Sequence, residues 1–249
     1  MKGSFFKSIK QHSQNVQEYK TALRVGGVQP FSAIDYPGHL STVIFCQGCS
    51  WRCRYCQNAH LRSFKKPSEL HWNEIIDFLK GHQDLIEGVI FSGGEPLLQP
   101  HLLKAVQTVK TMNFKVGLHT GGISLERFKT VLPYLDWVGL DVKAPIEKYK
   151  SVTKVSKSGI PTWNCVQALL ESQTSSECRT TVHPLLHSME DIWSIAETLH
   201  QMGVRHYAIQ LFQEKGCLDK ELIQDQTQLP LDANFYDEMS ELFDSFIIR

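Results

Sequence analysis

Short apolar runs rich in β-branched residues alternate with longer helical patterns from residue 41 onward. The runs predict six strands, at 41–47, 88–93, 115–120, 137–143, 178–184 and 206–212. Apolar residues at helical spacing predict helices near 71–80, 101–112, 124–132, 163–173, 188–202 and 232–247. Strands and helices that alternate at this spacing are typical of a parallel sheet with right-handed crossovers. We therefore predict an α/β fold.

The strands also differ in what their two faces carry, because alternate residues of a strand point to opposite sides. One face holds apolar residues such as Ile44 and Leu140, which helices would cover. The other becomes polar toward the strand carboxyl ends, with Asp141, Lys143 and Gln210. Parallel barrels place their chemistry at that end. Six units are two short of a closed barrel, so we predict a partial (β/α)6 barrel that is open on one side.

The amino-terminal residues 1–20 are polar and lack sustained periodicity, which predicts a surface arm. Residues 21–249 form the predicted barrel domain, and its first part, 21–40, is a lead-in of turns and short extended pieces. Gly26, Gly27 and Pro30 punctuate that lead-in. The last helix of the domain has Asp232 as its predicted N-cap.

The charge of the chain narrows the class of partner. Twenty-six Lys and Arg residues balance 26 Asp and Glu residues, so no overall field attracts nucleic acid or anionic lipid. No apolar run approaches the roughly 20 residues that span a bilayer. The first residues lack the apolar core of a secretory signal, and we expect a cytoplasmic location.

Seven cysteines add a chemical signal, since four of them fall within 11 residues: Cys46, Cys49, Cys53 and Cys56. In a reducing compartment such crowding favours a metal site over disulfides. The remaining three, Cys165, Cys178 and Cys217, have no paired spacing and are predicted to be small buried apolar residues.

Two metal centres fit the crowded cysteines. Cys49, Cys53 and Cys56 have the spacing C-x3-C-x2-C, and three thiolates can hold three irons of a 4Fe–4S cluster and leave the fourth iron open. A structural zinc ion would need a fourth ligand, which Cys46 could supply. Strand parity places Cys46 beside Ile44, on the helix-covered face, and therefore favours the cluster.

The motif order identifies a family resemblance. The stretch FSAIDYPGHLSTVIFCQGCSWRCRYCQN, then FSGGEP, then WVGLDVKAP resembles the radical S-adenosylmethionine (radical SAM) superfamily, from about residue 24 to 213. Within it the chain is most similar to activating enzymes of glycyl-radical enzymes, in particular those of anaerobic ribonucleoside-triphosphate reductase. The resemblance implies one 4Fe–4S cluster and S-adenosylmethionine as cofactors, with the cluster on the three motif cysteines.

The same resemblance implies which side chains contact S-adenosylmethionine. They are Tyr55 at adenine, Gly93, Gly94 and Glu95 at the methionine portion, His119, Asp141, Lys143 and Arg179. His119 stands in H-T-G-G where many activating enzymes have D-T-N-G, so its contact is open. Structural alternatives exist for the other residues: a glycine turn, an Asp–Lys pair at the barrel rim, an ion pair of Arg179, and simple packing of Tyr55.

Further residues near the predicted site have weaker assignments. Asn58 matches a Cys-x-Asn pattern of the family, and Gln210 or Gln213 could reach adenosine. His183, before a proline, is better explained as a hydrogen-bonded histidine at the barrel rim.

Three functions remain open from the sequence. The leading one is an activase, in which a 5′-deoxyadenosyl radical removes hydrogen from a glycine of anaerobic ribonucleoside-triphosphate reductase, with flavodoxin or ferredoxin as electron donor. A radical SAM enzyme acting on a small molecule, similar to 7-carboxy-7-deazaguanine synthase, is the second. A non-catalytic zinc protein is the third.

Overall fold

A single curled sheet organises the chain. A computed structural model describes residues 22–68 and 70–249; the predicted arm, 1–20, lies outside the described residues. The eight strands are hydrogen-bonded in chain order: β1 (Val25–Ser32), β2 (Ser41–Cys46), β3 (Gly88–Gly93), β4 (Lys115–Thr120), β5 (Trp137–Asp141), β6 (Ser175–Val182), β7 (His206–Leu211) and β8 (Ser245–Ile248). Strands β2 to β8 are parallel, and β1 pairs antiparallel with β2.

Helices follow most of the strands. They are α1 (Trp72–Lys80), α2 (Leu102–Thr111), α3 (Leu125–Val131), α4 (Tyr149–Thr153), α5 (Gly159–Leu170), α6 (Met189–Met202), α7 (Lys220–Gln224) and α8 (Ala233–Leu242). In the part of the chain that the structure describes, no helix is both long and apolar enough to cross a bilayer.

The outer face of the sheet carries the main core. Ile44, Leu140 and Ile209 are fully buried there beneath the helices. These are the residues that parity assigned to the covered face, so the predicted alternation is confirmed. The strand order ends at β1 and β8, which confirms a parallel α/β partial barrel that is open on one side.

The inner face of the sheet is apolar at the amino end of the barrel. Tyr36, Val43, Ile90 and Trp137 form a separate apolar cluster inside the curl of the sheet. The Tyr36 ring stacks on Trp137 with centroids 5.8 Å apart. Tyr36 comes from the β1–β2 loop, which folds into the amino end of the barrel. The interior is therefore polar only toward the carboxyl ends of the strands.

The number of strands also exceeds the prediction of six. Residues 25–32 of the lead-in form β1, and the predicted helix at 232–247 ends at Leu242. Phe243 is extended (φ −130°, ψ 147°), and β8 follows it. Phe246 continues the helical spacing of the apolar residues, yet it also alternates correctly for a strand, and pairing with β7 decides the outcome.

Candidate cofactor site

The cysteine loop lies between β2 and α1 and is held by a neighbouring helix. The backbone amides of Arg52 and Arg54 donate to the carbonyl oxygens of Thr153 and Val152, at 2.9 and 3.1 Å. Those carbonyls belong to the last turn of α4, whose acceptors have no partner within the helix. The helix end therefore fixes the loop at the carboxyl end of the barrel.

The three motif cysteines are free and partly exposed. Cys49 and Cys53 pack on a small apolar cluster that includes Trp51 and Tyr55. Burial is the main cause that raises the pKa of the Cys49 thiol to about 12 and that of Cys53 to about 11. Coordination to a metal reverses this preference, because a bound thiol loses its proton.

The donor set fits an iron–sulfur cluster. Within residues 22–68 and 70–249, no three His, Cys, Asp or Glu side chains are grouped to hold a single metal ion. A 4Fe–4S cluster makes a different demand, since each cysteine binds a different iron. Cys46 has no exposed surface and belongs to the main core, whereas Cys49 and Cys53 border the separate small cluster.

The Gly93–Gly94 pair at the end of β3 packs directly on this loop. Gly93 has φ +106°, and a Cβ there would come within 2.5 Å of the Cys46 nitrogen. A Cβ on Gly94 would collide with the carbonyl of Gly48. Packing within the chain therefore explains both glycines, because they let the end of β3 approach the backbone that leads into the cysteine loop.

Glu95 is buried and already holds three donors. Its carboxylate accepts from the Leu97 amide at 3.0 Å, the Thr120 hydroxyl at 2.6 Å and the Gly121 amide at 3.0 Å. Burial raises the pKa of this carboxyl above its usual value, against the lowering effect of those bonds. Glu95 therefore ties the β3 exit to the β4 exit, and this role is visible only in the structure.

A charged group of Asp141, Lys143 and Arg179 lies at the carboxyl ends of β5 and β6. Arg179 Nε donates to Asp141 Oδ1 at 2.9 Å, and Lys143 Nζ lies 3.4 Å from Asp141 Oδ2. Burial opposes the charge of Asp141, but Arg179 and Lys143 outweigh it and lower its pKa to about 2. Gly139 makes room for this group, because a Cβ there would meet the Arg179 guanidinium at 2.7 Å.

Lys143 connects this charged group with the cysteine loop. Its Nζ lies 5.9 Å from the Trp51 ring centroid and 5.6 Å from that of Tyr55. The Tyr55 hydroxyl is buried and has no hydrogen-bond partner among the described residues. A buried hydroxyl without a partner is costly, and a bound polar ligand would satisfy it. The site therefore has spare hydrogen-bonding capacity where the cofactor is expected.

The histidines near the site are engaged by the protein itself. His119 Nε2 donates to the Asp35 carbonyl at 2.9 Å, and burial lowers the pKa of His119 to about 3. His183 Nε2 donates to the Leu222 carbonyl at 3.0 Å, and its Nδ1 accepts from the Leu185 amide. This arrangement agrees with His183 as a hydrogen-bonded rim residue.

The weaker candidates lie at the edges of the site. Gln210 is half-buried and its amide oxygen accepts from the Thr181 hydroxyl at 3.4 Å, while Gln213 is exposed. Asn58 precedes a short 3-10 helix without capping it through its side chain. The scattered cysteines Cys165, Cys178 and Cys217 are all buried, as predicted.

Sequence reasoning missed a second layer of contacts. His187 Nε2 donates to the Lys143 carbonyl at 2.9 Å, and the Tyr149 hydroxyl accepts from the Lys143 amide at 2.9 Å. Arg54, inside the cysteine motif, forms a two-bond pair with Asp219 at 2.6 and 3.2 Å. The sequence shows His187 four residues after His183, and this spacing was a signal for the first contact. No local pattern links positions 54 and 219.

The fold and site together define a class: open parallel barrels with a three-cysteine loop after the first parallel strand and charged groups at the strand ends. The chain belongs to the radical SAM superfamily, whose family model matches residues 43–207. Members of this family use a 4Fe–4S cluster and S-adenosylmethionine.

Two curated relatives share much of the sequence. A Methanocaldococcus jannaschii protein named as a candidate glycyl-radical enzyme activating enzyme is 33% identical over 207 residues, which cover 79% of this chain and 83% of that protein. The pyruvate formate-lyase-activating enzyme of Clostridium pasteurianum is 32% identical over 142 residues, or 55% of this chain and 59% of that enzyme.

Solved structures agree in fold. Methylornithine synthase superposes with a TM-score of 0.61 at 14% identity, over 84% of this chain and 70% of its own. SuiB of Streptococcus suis, bound to its precursor peptide SuiA, gives a TM-score of 0.60 at 12% identity, over 83% and 48%. At such identities the structures establish the fold alone.

Proposed function

We propose that this chain is a radical SAM activase, and that its substrate is a glycine residue of an anaerobic ribonucleoside-triphosphate reductase. The similarity to a candidate activating enzyme over 79% of the chain supports the activase role. The placement of its cofactors is supported by the contact of Lys143 with Trp51 and Tyr55, which brings the charged group of the barrel against the cysteine loop.

In this proposal the chain divides the cofactors between two neighbouring regions. Cys49, Cys53 and Cys56 hold the cluster. Lys143 and Arg179 offer positive charge to the carboxylate of S-adenosylmethionine, and Asp141 offers negative charge to its ammonium. When bound, the cluster and S-adenosylmethionine together supply a 5′-deoxyadenosyl radical that abstracts hydrogen.

The remaining predicted residues shape the walls of the site. Tyr55 offers its ring and its unpartnered hydroxyl to the adenosine portion. Gly93, Gly94 and Glu95 hold the β3 exit against the cysteine loop, so that the wall beside the methionine portion is rigid. His119 donates to the Asp35 carbonyl and so joins β4 to the β1–β2 loop.

The shape of the barrel fits a peptide substrate. The amino end of the interior is filled by Tyr36 and Trp137, so a substrate must enter from the carboxyl end or along the open side between β1 and β8. An open sheet leaves room there for a loop of a partner enzyme, which a closed barrel of eight strands does not.

Transfer of a labelled hydrogen tests this function. Deuterium at the Cα of the target glycine should appear in 5′-deoxyadenosine, and the reductase should gain a glycyl radical signal in electron paramagnetic resonance. A Cys56→Ala variant is the control and should give neither signal.

A small-molecule radical SAM reaction is the alternative outcome. The chain is 31% identical over 108 residues to the 7-carboxy-7-deazaguanine synthase of Hyperthermus butylicus, which covers only 41% of this chain. Label transfer from a small molecule, with none from any glycyl-radical enzyme of the same organism, would replace the activase function with this one.

A further inference from the structure

A cavity adjoins the cysteine loop, and neither Lys143 nor any residue of the eight strands lines it. Its volume is about 250 Å³, and the residues that line it are Arg52, Cys53, Arg54, Cys56, Ala59, Arg62, Lys154, Leu218 and Asp219. Two of the three motif cysteines thus border a cavity that opens to solvent. The cluster can be approached here without entering the site proposed for S-adenosylmethionine.

The charge around this cavity is positive, although the whole chain is neutral. Four cationic side chains and one carboxylate, Asp219, line it. Arg54 pairs with two carboxylates, Asp219 and Glu221, the latter 2.5 Å from its Nη2, so four cations here face two carboxylates. The positive excess therefore comes from the other three cations.

Two of those three cations have backbone partners that carry no charge. Arg52 Nη1 donates to the carbonyl oxygens of Cys49 and Trp51, each at 3.0 Å. Arg62 Nε donates to the Ala59 carbonyl at 3.3 Å. Such bonds orient the guanidinium groups and leave their charge available to a partner.

From this geometry we propose that the cavity and its basic rim, formed by Arg52, Arg62 and Lys154, are the docking surface for a small acidic one-electron carrier protein. The carrier loses one electron and the cluster gains it; no covalent bond forms or breaks. Leu218, which is 69% exposed, supplies an apolar contact beside the charges. Weak redox encounters use small interfaces, and complementary charge mainly raises their association rate.

This proposal rests on the cluster and not on the identity of the radical acceptor. Reduction of the cluster can be measured without any glycyl-radical enzyme, so the docking surface and the activase function can fail separately. It also assigns opposite sides of the cysteine loop to the electron donor and to S-adenosylmethionine.

Stopped-flow reduction of the reconstituted protein tests the surface. Reduced flavodoxin is the probe, and the loss of visible absorbance of the oxidised cluster is the readout, at low and at high salt. The variants are Arg62→Glu, Lys154→Glu and the milder Lys154→Gln, with Lys104→Glu on α2 as the charge-matched control. Iron content and complete reduction by dithionite must be equal in all of them.

The expected result is a wild-type rate that falls at least tenfold between low and high salt, as for steered association. At low salt each reversal should slow reduction about five- to tenfold, Lys154→Gln by less, and Lys104→Glu should match the wild type. Equal reduction rates in Lys154→Glu and Lys104→Glu, or a wild-type reduction rate that does not depend on salt concentration, would overturn the proposal. Competition by millimolar inorganic phosphate, without any effect of the reversals on flavodoxin, would also overturn it and mark a small-anion pocket instead.

Discussion

Replacement of Lys143 by methionine tests the link between the charged group and S-adenosylmethionine. The Lys143 side chain is 11% exposed, and its ion pair with Asp141 spans 3.4 Å. An ammonium has three donors, and this contact uses one of them. Burial disfavours the charge, but the nearby anionic and phenolic groups outweigh it and raise the pKa of Lys143, so the ammonium stays charged at neutral pH.

The expected loss of affinity follows from the bond that methionine removes. A hydrogen bond to a charged group contributes about 1.5 to 3 kcal/mol, so affinity for S-adenosylmethionine should fall about 10- to 150-fold. Methionine keeps an unbranched stem against Trp51 and Tyr55. Asp141 keeps its pair with Arg179 at 2.8 Å, so the fold should survive.

Equilibrium titration of the anaerobically reconstituted protein with S-adenosylmethionine measures this loss, with iron content and visible absorbance as checks on the cluster. Lys110→Met is the matched control, because Lys110 pairs with Asp136 at 2.9 Å on a surface remote from the cysteine loop. Its affinity should equal that of the wild type. If Lys143→Met also binds normally with a full cluster, the Asp141–Lys143 pair is structural and the proposed contact is wrong.

Three further outcomes test the site. Cys46→Ala should keep a reducible cluster, because Cys46 lies in the main core; loss of all iron from a folded variant would contradict this. Asp219→Asn should speed the loss of iron to a chelator, because it weakens the pair that holds Arg54 in the cysteine loop, and an unchanged rate would show that the pair has no such role. The pKa of Asp141 is about 2 instead of 3.8, so its charge stabilises the fold above about pH 4, and this contribution disappears as pH falls toward 2. The difference in urea midpoint between wild type and Asp141→Asn, measured on metal-free protein from pH 6 to pH 3, should therefore shrink at low pH.

The pattern of apolar residues along the chain was enough to predict the six central strands and their two faces. It failed at both edges of the sheet for different reasons. Residues 25–32 contain two glycines and Pro30, which resemble a turn, but β1 is an edge strand with register shifts near those residues. Residues 245–248 carry phenylalanine at a spacing that suits both a helix and a strand, and only pairing with β7 distinguishes them.

The site residues also form two groups, those predicted by local sequence patterns and those that only the fold brings together. The cysteine spacing and the Asp141–Lys143 pair are local patterns, so the sequence predicts them together with their end of the barrel. The partners of Glu95 and the pair between Arg54 and Asp219 are contacts between distant segments, the latter across 165 positions. No periodicity encodes such contacts, because they depend on how loops at neighbouring strand ends meet.

Those long-range contacts also bear on how the two sides of the cysteine loop are kept apart. Asp219 draws Arg54 toward the segment after β7, and Leu222 from the same segment packs in the small apolar cluster with Tyr55. One segment thus lines the basic cavity and packs against Tyr55, and we expect it to exclude water from the inner site as a seal. In the proposed arrangement electrons reach the cluster through the basic cavity, and exclusion of water from the inner side protects a reactive radical from side reactions. A change that loosens this segment should therefore increase abortive cleavage of S-adenosylmethionine in the absence of partner, and 5′-deoxyadenosine formed by Leu222→Ala measures it. An unchanged rate in that variant, with cluster and cofactor affinity intact, would show that the seal lies elsewhere.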